Sequence, residues 1–134
     1  MIRFNDQLEV KRIIIIATPN SNYGFSINLK NWNEQANRSN CTAYGNVALH
    51  MAVRFFQSRV IFNSRGSKWA GKPSVLGRVP FAKDVQFKLQ ITIRSNRYEL
   101  LFDDGSVFNW DHRTEDVDMV CIDLDLTVHS ILTT

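Results

Sequence analysis

Two stretches of this chain alternate apolar and polar side chains with a period of two. In VQFKLQITIRS, Val85, Phe87, Leu89, Ile91 and Ile93 alternate with Gln86, Lys88, Gln90, Thr92 and Arg94. In VCIDLDLTVHS, Val120, Ile122, Leu124, Leu126 and Val128 alternate with Cys121, Asp123, Asp125, Thr127 and His129. Successive side chains of an extended strand point to opposite faces, so this pattern makes strands with one face in a core and one in water. A helix would need an apolar stripe repeating every 3.6 residues, and no segment of ten or more residues carries that period. RYELLFDDGSVFNWDHR reads as a hairpin, with Asp104-Gly105 tolerating positive φ in a tight turn between Tyr98–Phe102 and Val107–Trp110. LEVKRIIIIAT, YGFSINLK, NVALHMAVRF and SRVIFNS read as four more strands. Short strands at regular spacing, with turn signals between them, predict an all-β antiparallel sandwich rather than an α/β fold.

The 134 residues fit a single domain over 1–134 and suffice for a proper core. Phe (9) outnumbers Tyr and Trp (3 each), so that core is expected to be rich in phenyl rings. The formal charge is +3, and no Lys/Arg run has the density of a nucleic-acid-binding arm. MIRFNDQLEVKR has no apolar segment of signal-peptide type, and the longest apolar run, IIIIA, is far too short to span a bilayer. A cytoplasmic protein without membrane insertion is therefore expected, with export by a signal-independent route as the alternative. Cys41 and Cys121 form neither a CxxC pair nor a metal-ligand spacing, and read on composition and spacing as two free thiols. No metal and no cofactor is expected.

The chemistry concentrates in NVALHMAVRF and the strand after it. With Leu49, Met51, Val53 and Phe55 turned to the core, His50, Ala52 and Arg54 share the outer face. If SRVIFNS is the hairpin partner, Asn63 lies near Arg54 on that face, and Trp69 can fold over the patch from the following loop. An imidazole, a guanidinium, an amide and an indole suit a sugar. Its hydroxyls both donate and accept, and its weakly apolar C–H face stacks on an aromatic ring. Site donors left unpaired by the wrong epimer make the choice of hydroxyl stereochemistry sharp. No nucleophile, paired acid/base carboxylates or metal cluster accompanies these residues, so binding without catalysis is expected. Arg54, Phe56, Arg59 and Arg65 interleave cations and rings as a single-stranded nucleic-acid binder would. The order of motifs does not fit that reading, and no nucleic-acid partner is expected.

The ordered set of motifs resembles the galectins, the S-type β-galactoside-binding lectins, over nearly the whole chain. GFSINLK is similar to the family's F-x-I-N-L strand, VALHMAVRF to A-L-H-F-N-P-R-F, and VIFNS to V-x-N-S. SKW resembles the loop ending in the sugar-stacking Trp, RYELLFDDGSVFNWDHR the R-F-E-V-x-x-N-G hairpin, and IDLDLTVHSI the last core strand. The resemblance implies a jelly-roll-like sandwich of two five- to six-stranded sheets, with a galactose groove on the concave one. His50 and Arg54 would bond the galactose 4-hydroxyl, Arg54 also the ring oxygen, Asn63 the 6-hydroxyl, and Trp69 would stack under the ring. It further implies no metal, galactose-bearing glycans or glycoproteins as partners, and a homodimer meeting at the first and last strands.

Two departures from the family pattern bear on function. Ala52 stands where H-x-N-x-R has its amide, and Lys72 falls where W-G-x-E-x-R has its Glu. Loss of one charged hydrogen bond costs about 1.5–3 kcal/mol, or roughly ten- to a hundredfold in affinity. Lys72 and Arg78 are the nearest candidates to substitute, which would favour sulfated, sialylated or otherwise acidic glycans; Glu34 and Asp111 are the acids that a loop rearrangement could supply instead. The leading expectation is a lectin for β-galactoside-containing glycans with altered or weakened specificity. The alternative is a galectin-fold protein that has lost ordinary lactose binding and works through protein contacts or non-standard glycans.

Overall fold

A computed structural model describes residues 2–3, 12–31, 41–42, 45–66, 69, 73–111 and 117–134. The strands are β1 (Ile2–Arg3), β2 (Arg12–Pro19), β3 (Gly24–Lys30), β4 (Val47–Arg54), β5 (Arg59–Arg65), β6 (Ser74–Leu76), β7 (Phe87–Ile93), β8 (Arg97–Leu101), β9 (Val107–Asp111), β10 (Met119–Leu124) and β11 (Leu126–Thr133). They form a six-stranded sheet, β1-β10-β3-β4-β5-β6, and a five-stranded sheet, β11-β2-β7-β8-β9. Each adjacent pair of strands is antiparallel. This is the expected all-β sandwich.

The core is what the alternation builds. Ile13, Ile15 and Ala17 on β2 and Phe87, Leu89 and Ile91 on β7 face Phe25, Ile27 and Leu29 on β3 and Leu49, Met51 and Val53 on β4. Phenyl rings lock the two layers together: Phe25 stacks on Phe87 with centroids 5.7 Å apart, and Phe81 meets both edge-on at 5.5 and 4.5 Å. Such offset and edge-to-face pairs are favoured by the ring quadrupole. The β8–β9 hairpin closes through Phe102–Ser106, with Gly105 at φ +85° and its N–H donating 3.0 Å to the Phe102 carbonyl.

The closing segment departs from expectation. VCIDLDLTVHS reads as one strand, yet the chain turns at Asp125, placing β10 in the six-stranded sheet and β11 at the edge of the five-stranded one. Leu124, at φ +72°, makes the corner and is exposed rather than in the core. A period-two pattern survives a change of sheet, so alternation alone does not reveal the corner.

The cysteines also correct the sequence reading. Cys41 and Cys121 are not free thiols but a disulfide, joining residues 80 apart whose Cα atoms lie 5.7 Å from each other. Both are buried, beside Met119. Spacing gave no hint, because the partners meet only when Cys41 and Thr42 fold across the outer face of β10, β3 and β5. Three hydrogen bonds tie that segment down, and an attraction between two of the side chains that make them adds to these. The Cys41 N–H donates 2.8 Å to Asp123 Oδ2, Lys30 Nζ donates 2.5 Å to the Cys41 carbonyl, the Arg65 guanidinium donates to the Thr42 carbonyl, and Lys30 and Asp123 attract each other electrostatically. Hence all of β3 is buried on both faces, Lys30 included.

Candidate functional site

The outer face of the six-stranded sheet carries rows of side chains set by register. Cys121, Asn28, His50 and Asn63 are successive cross-strand partners on β10, β3, β4 and β5. The next row reads Asp123, Ser26, Ala52, Ile61 and Val75, and the row beyond it reads Gly24, Arg54 and Arg59. His50, Ala52, Arg54 and Asn63 therefore do share one face. Asn63 stands opposite His50 rather than Arg54, which faces Arg59 instead. Trp69 joins from beyond β5, where its backbone bridges to Arg65. Its ring lies 4.9 Å from the His50 ring, with the Arg65 guanidinium 5.6 Å from its centroid, and it stays 38% exposed.

Arg54 shares this face with His50 and Ala52 by alternation along β4, and its cross-strand partner is Gly24, where β3 and β4 approach closely. A Cβ there would sit 2.0 Å from the Val53 carbonyl oxygen, and φ is +145°, so only glycine fits. A 3-10 turn, Phe55–Gln57, and Ser58 at φ +52° then return the chain into β5.

His50 is held in one tautomer. Asn28, fully buried, directs Nδ2 to the Cys121 carbonyl at 3.1 Å and to Ser26 Oγ at 3.2 Å. A carbonyl only accepts, so Nδ2 must face it, and Oδ1 must face His50 Nδ1, 2.5 Å away. Nδ1 thus carries the proton. Burial first, and the neighbouring Arg54 charge second, lower the His50 pKa from 6.5 to about 4. The imidazole is neutral near pH 7 and its Nε2 is an acceptor, while Arg54 beside it can only donate. A hydroxyl between the two can accept from the guanidinium and donate to the imidazole.

The expected auxiliary positions separate. Ala52 lines a cavity of about 450 Å³ together with Tyr23, Ser26, His50, Arg54 and Phe56. Arg78 does not join it. Its guanidinium bonds the Asp104 carboxylate and Ser106 Oγ on the β8–β9 turn, where Ser106 and Arg78 together lower the Asp104 pKa to about 2. Lys72 and Glu34 lie outside the described residues. Asp111 ends β9 in the other sheet, so it does not stand in for the missing Glu. The carboxylate on the cavity wall is Asp123, on the far side from β6, and β6 itself presents Val75 beside Ile61. Sequence reasoning gave no role in sugar binding to Asn28, Asp123 or Arg59. For Asn28 there was a signal, a polar residue in a strand flanked by Ile27 and Leu29; for Asp123 it was lost in the apparent single strand.

Among the described residues no group of three or more His, Cys, Asp or Glu could hold a metal ion. The family model for galactoside-binding lectins matches residues 2–133. Similar solved structures include Caenorhabditis elegans galectin LEC-6 (TM-score 0.79, 21% identity, 99% of this chain and 88% of that one). Chicken galectin 2 superposes with a TM-score of 0.80 at 19% identity, covering 98% of this chain and 96% of that one, and an ancestral congerin with 0.79 at 19%, covering 100% of both. No curated protein matches the chain. With the family model covering almost every residue and these folds coinciding, the chain belongs to the galactoside-binding lectins, the galectins, whose members are lectins rather than enzymes.

Proposed function

We propose that this galectin binds β-galactoside-containing glycans on the outer face of its six-stranded sheet, without catalysis. The observation that carries the reading is the convergence of a neutral acceptor imidazole, an adjacent guanidinium, an amide and a partly exposed indole on one face. In this reading the galactose 4-hydroxyl accepts from Arg54 and donates to His50 Nε2. Arg54 also reaches the ring oxygen, Asn63 the 6-hydroxyl, and Trp69 lies under the C–H face. An equatorial 4-hydroxyl would leave both Arg54 and His50 unpaired, and that loss selects galactose.

Ordinary lactose is expected to bind weakly, because β6 offers Val75 rather than a charged group beside Ile61. The buried disulfide favours work in an oxidising, extracellular space. A second copy is expected to pair on the outer edges of β1 and β11, where Val128 and Leu132 are exposed. The test of the main reading is calorimetric titration with lactose beside Trp69→Ala. Saturable binding that falls at least about tenfold in the variant supports it, since the indole supplies both apolar area and ring contact. No binding of lactose or of any galactoside in an array, charged ligands included, overturns it in favour of a protein-contact role.

A further inference from the structure

Arg54 and Arg59 are direct cross-strand partners, so two guanidinium groups leave the same face of β4 and β5 side by side. Like charges in that position destabilise a sheet unless something neutralises them. Here both turn to one neutral acceptor: Gln57 Oε1 takes a hydrogen bond from Arg54 Nη1 at 3.3 Å and from Arg59 Nε at 3.2 Å. Three other arginines are matched with acids, while Arg12 and Arg65 bond the Thr134 hydroxyl and the Thr42 carbonyl. Arg78 holds Asp104, and Arg94 and Arg97 share Glu99. Among the described residues neither Arg54 nor Arg59 has a carboxylate in reach.

The unmatched charge borders a place where a ligand can sit. Arg54 lines the cavity of about 450 Å³ with His50, Ala52, Tyr23 and Phe56. Tyr23 and Phe56 stack at 4.8 Å and remain 58% and 55% exposed, an apolar wall beside the guanidinium. Among the described lining residues the one carboxylate is Asp123. It is already engaged by the Cys41 N–H and attracted to Lys30.

We propose that the Arg54–Arg59 pair, bridged by Gln57, binds an anionic substituent of the galactoside, a sulfate or a carboxylate, so that the ligand brings the negative charge the sheet lacks at this point. Both groups present oxygens spaced for the forked N–H donors of a guanidinium. The inference rests on the galactoside reading and assigns the anion to residues other than Lys72 and Arg78, from which an acidic preference was expected.

Wild type, Arg59→Ala and Arg59→Glu are titrated with lactose, 3′-sulfolactose and 3′-sialyllactose at low and high ionic strength. The expected result is that wild type binds at least one charged ligand about tenfold or more tighter than lactose, with the advantage shrinking in salt. Gain with the sulfated ligand alone identifies a sulfate, and gain with the sialylated one alone a carboxylate. Arg59→Ala should lose most of the advantage. Arg59→Glu should remove it and tighten lactose, by giving Arg54 a carboxylate partner across the strands. Equal affinity of wild type for all three ligands, or an advantage that survives Arg59→Glu, overturns this inference and leaves galactoside binding standing. Failure of wild type to bind any of the three overturns both.

Discussion

The imidazole of His50 offers a ligand only one hydrogen-bonding direction, because Asn28 occupies the other and fixes where the proton sits. This gives a pH dependence with a definite sign. The proposed binding mode requires neutral His50, whose pKa is lowered to about 4 by burial and by Arg54. Affinity for lactose should therefore stay flat from about pH 8 to about pH 5 and fall only as pH approaches 4. Stability responds over a different window. The unfolded chain takes up this proton below its ordinary value of 6.5 while the native state declines it until about 4, so stability falls as pH drops through that interval. At about 1.4 kcal/mol per unit, the loss attributable to His50 is at most about 3.5 kcal/mol. Titrations and denaturant melts across the range check both statements, and an affinity that halves near pH 6.5 would show an unperturbed, exposed histidine instead. At this scale His50, Ala52, Arg54 and Asn63 were legible, since period-two spacing and one hairpin are enough to put them on a face. The opposition of Arg54 to Arg59 was not, because it depends on a register set by the three-residue turn at Phe55–Gln57.

Strand identity was legible wherever one face meets the core and the other meets water, as in β7 and the β8–β9 hairpin. It failed at the β10–β11 corner, where a left-handed Leu124 moves the chain between sheets without disturbing the alternation. For β3 the strand itself was legible in YGFSINLK, but not the burial of its polar face, which is roofed by Cys41 and Thr42 and is buried like its apolar face. That roof is a covalent element, and it reaches the site: the Cys121 carbonyl holds Asn28, and Asn28 holds His50. Cutting it should have two effects of different size. Closing an 80-residue separation removes chain entropy from the unfolded state worth about 4 kcal/mol, so reduction, or the double change Cys41→Ser with Cys121→Ser, should lower unfolding free energy by about that amount. Lactose affinity should fall in parallel as the Asn28–His50 pair loosens. Denaturant melts and titrations with and without reductant read both, and unchanged affinity in the reduced protein would disconnect the roof from the site.

At the scale of the whole molecule, the sandwich and the site use opposite faces of the same sheet, and this makes them separable. Phe25, Leu49, Met51 and Val53 point inward from the strands whose other faces carry Asn28, His50, Ala52 and Arg54. The five-stranded sheet contributes packing but none of the candidate binding residues. Its Phe87 stacks on Phe25 at 5.7 Å and meets Phe81 at 4.5 Å, and is almost completely buried. Phe87→Ala should remove those ring contacts and leave a cavity, costing about 3–5 kcal/mol of unfolding free energy. The galactoside dissociation constant of the remaining native molecules should change less than about threefold, because the cavity opens on the inner side of the sheet. Trp69→Ala should do the reverse, leaving stability within about 0.5–1 kcal/mol while abolishing most binding. Saturating lactose should raise the midpoint of the Phe87→Ala protein by mass action and leave that of Trp69→Ala where it was. Measured together by denaturant melts with and without lactose, the two variants form a crossed pair. A Phe87→Ala protein that folds but no longer binds would mean that the inner packing shapes the outer face, and that the sheet transmits strain from one side to the other.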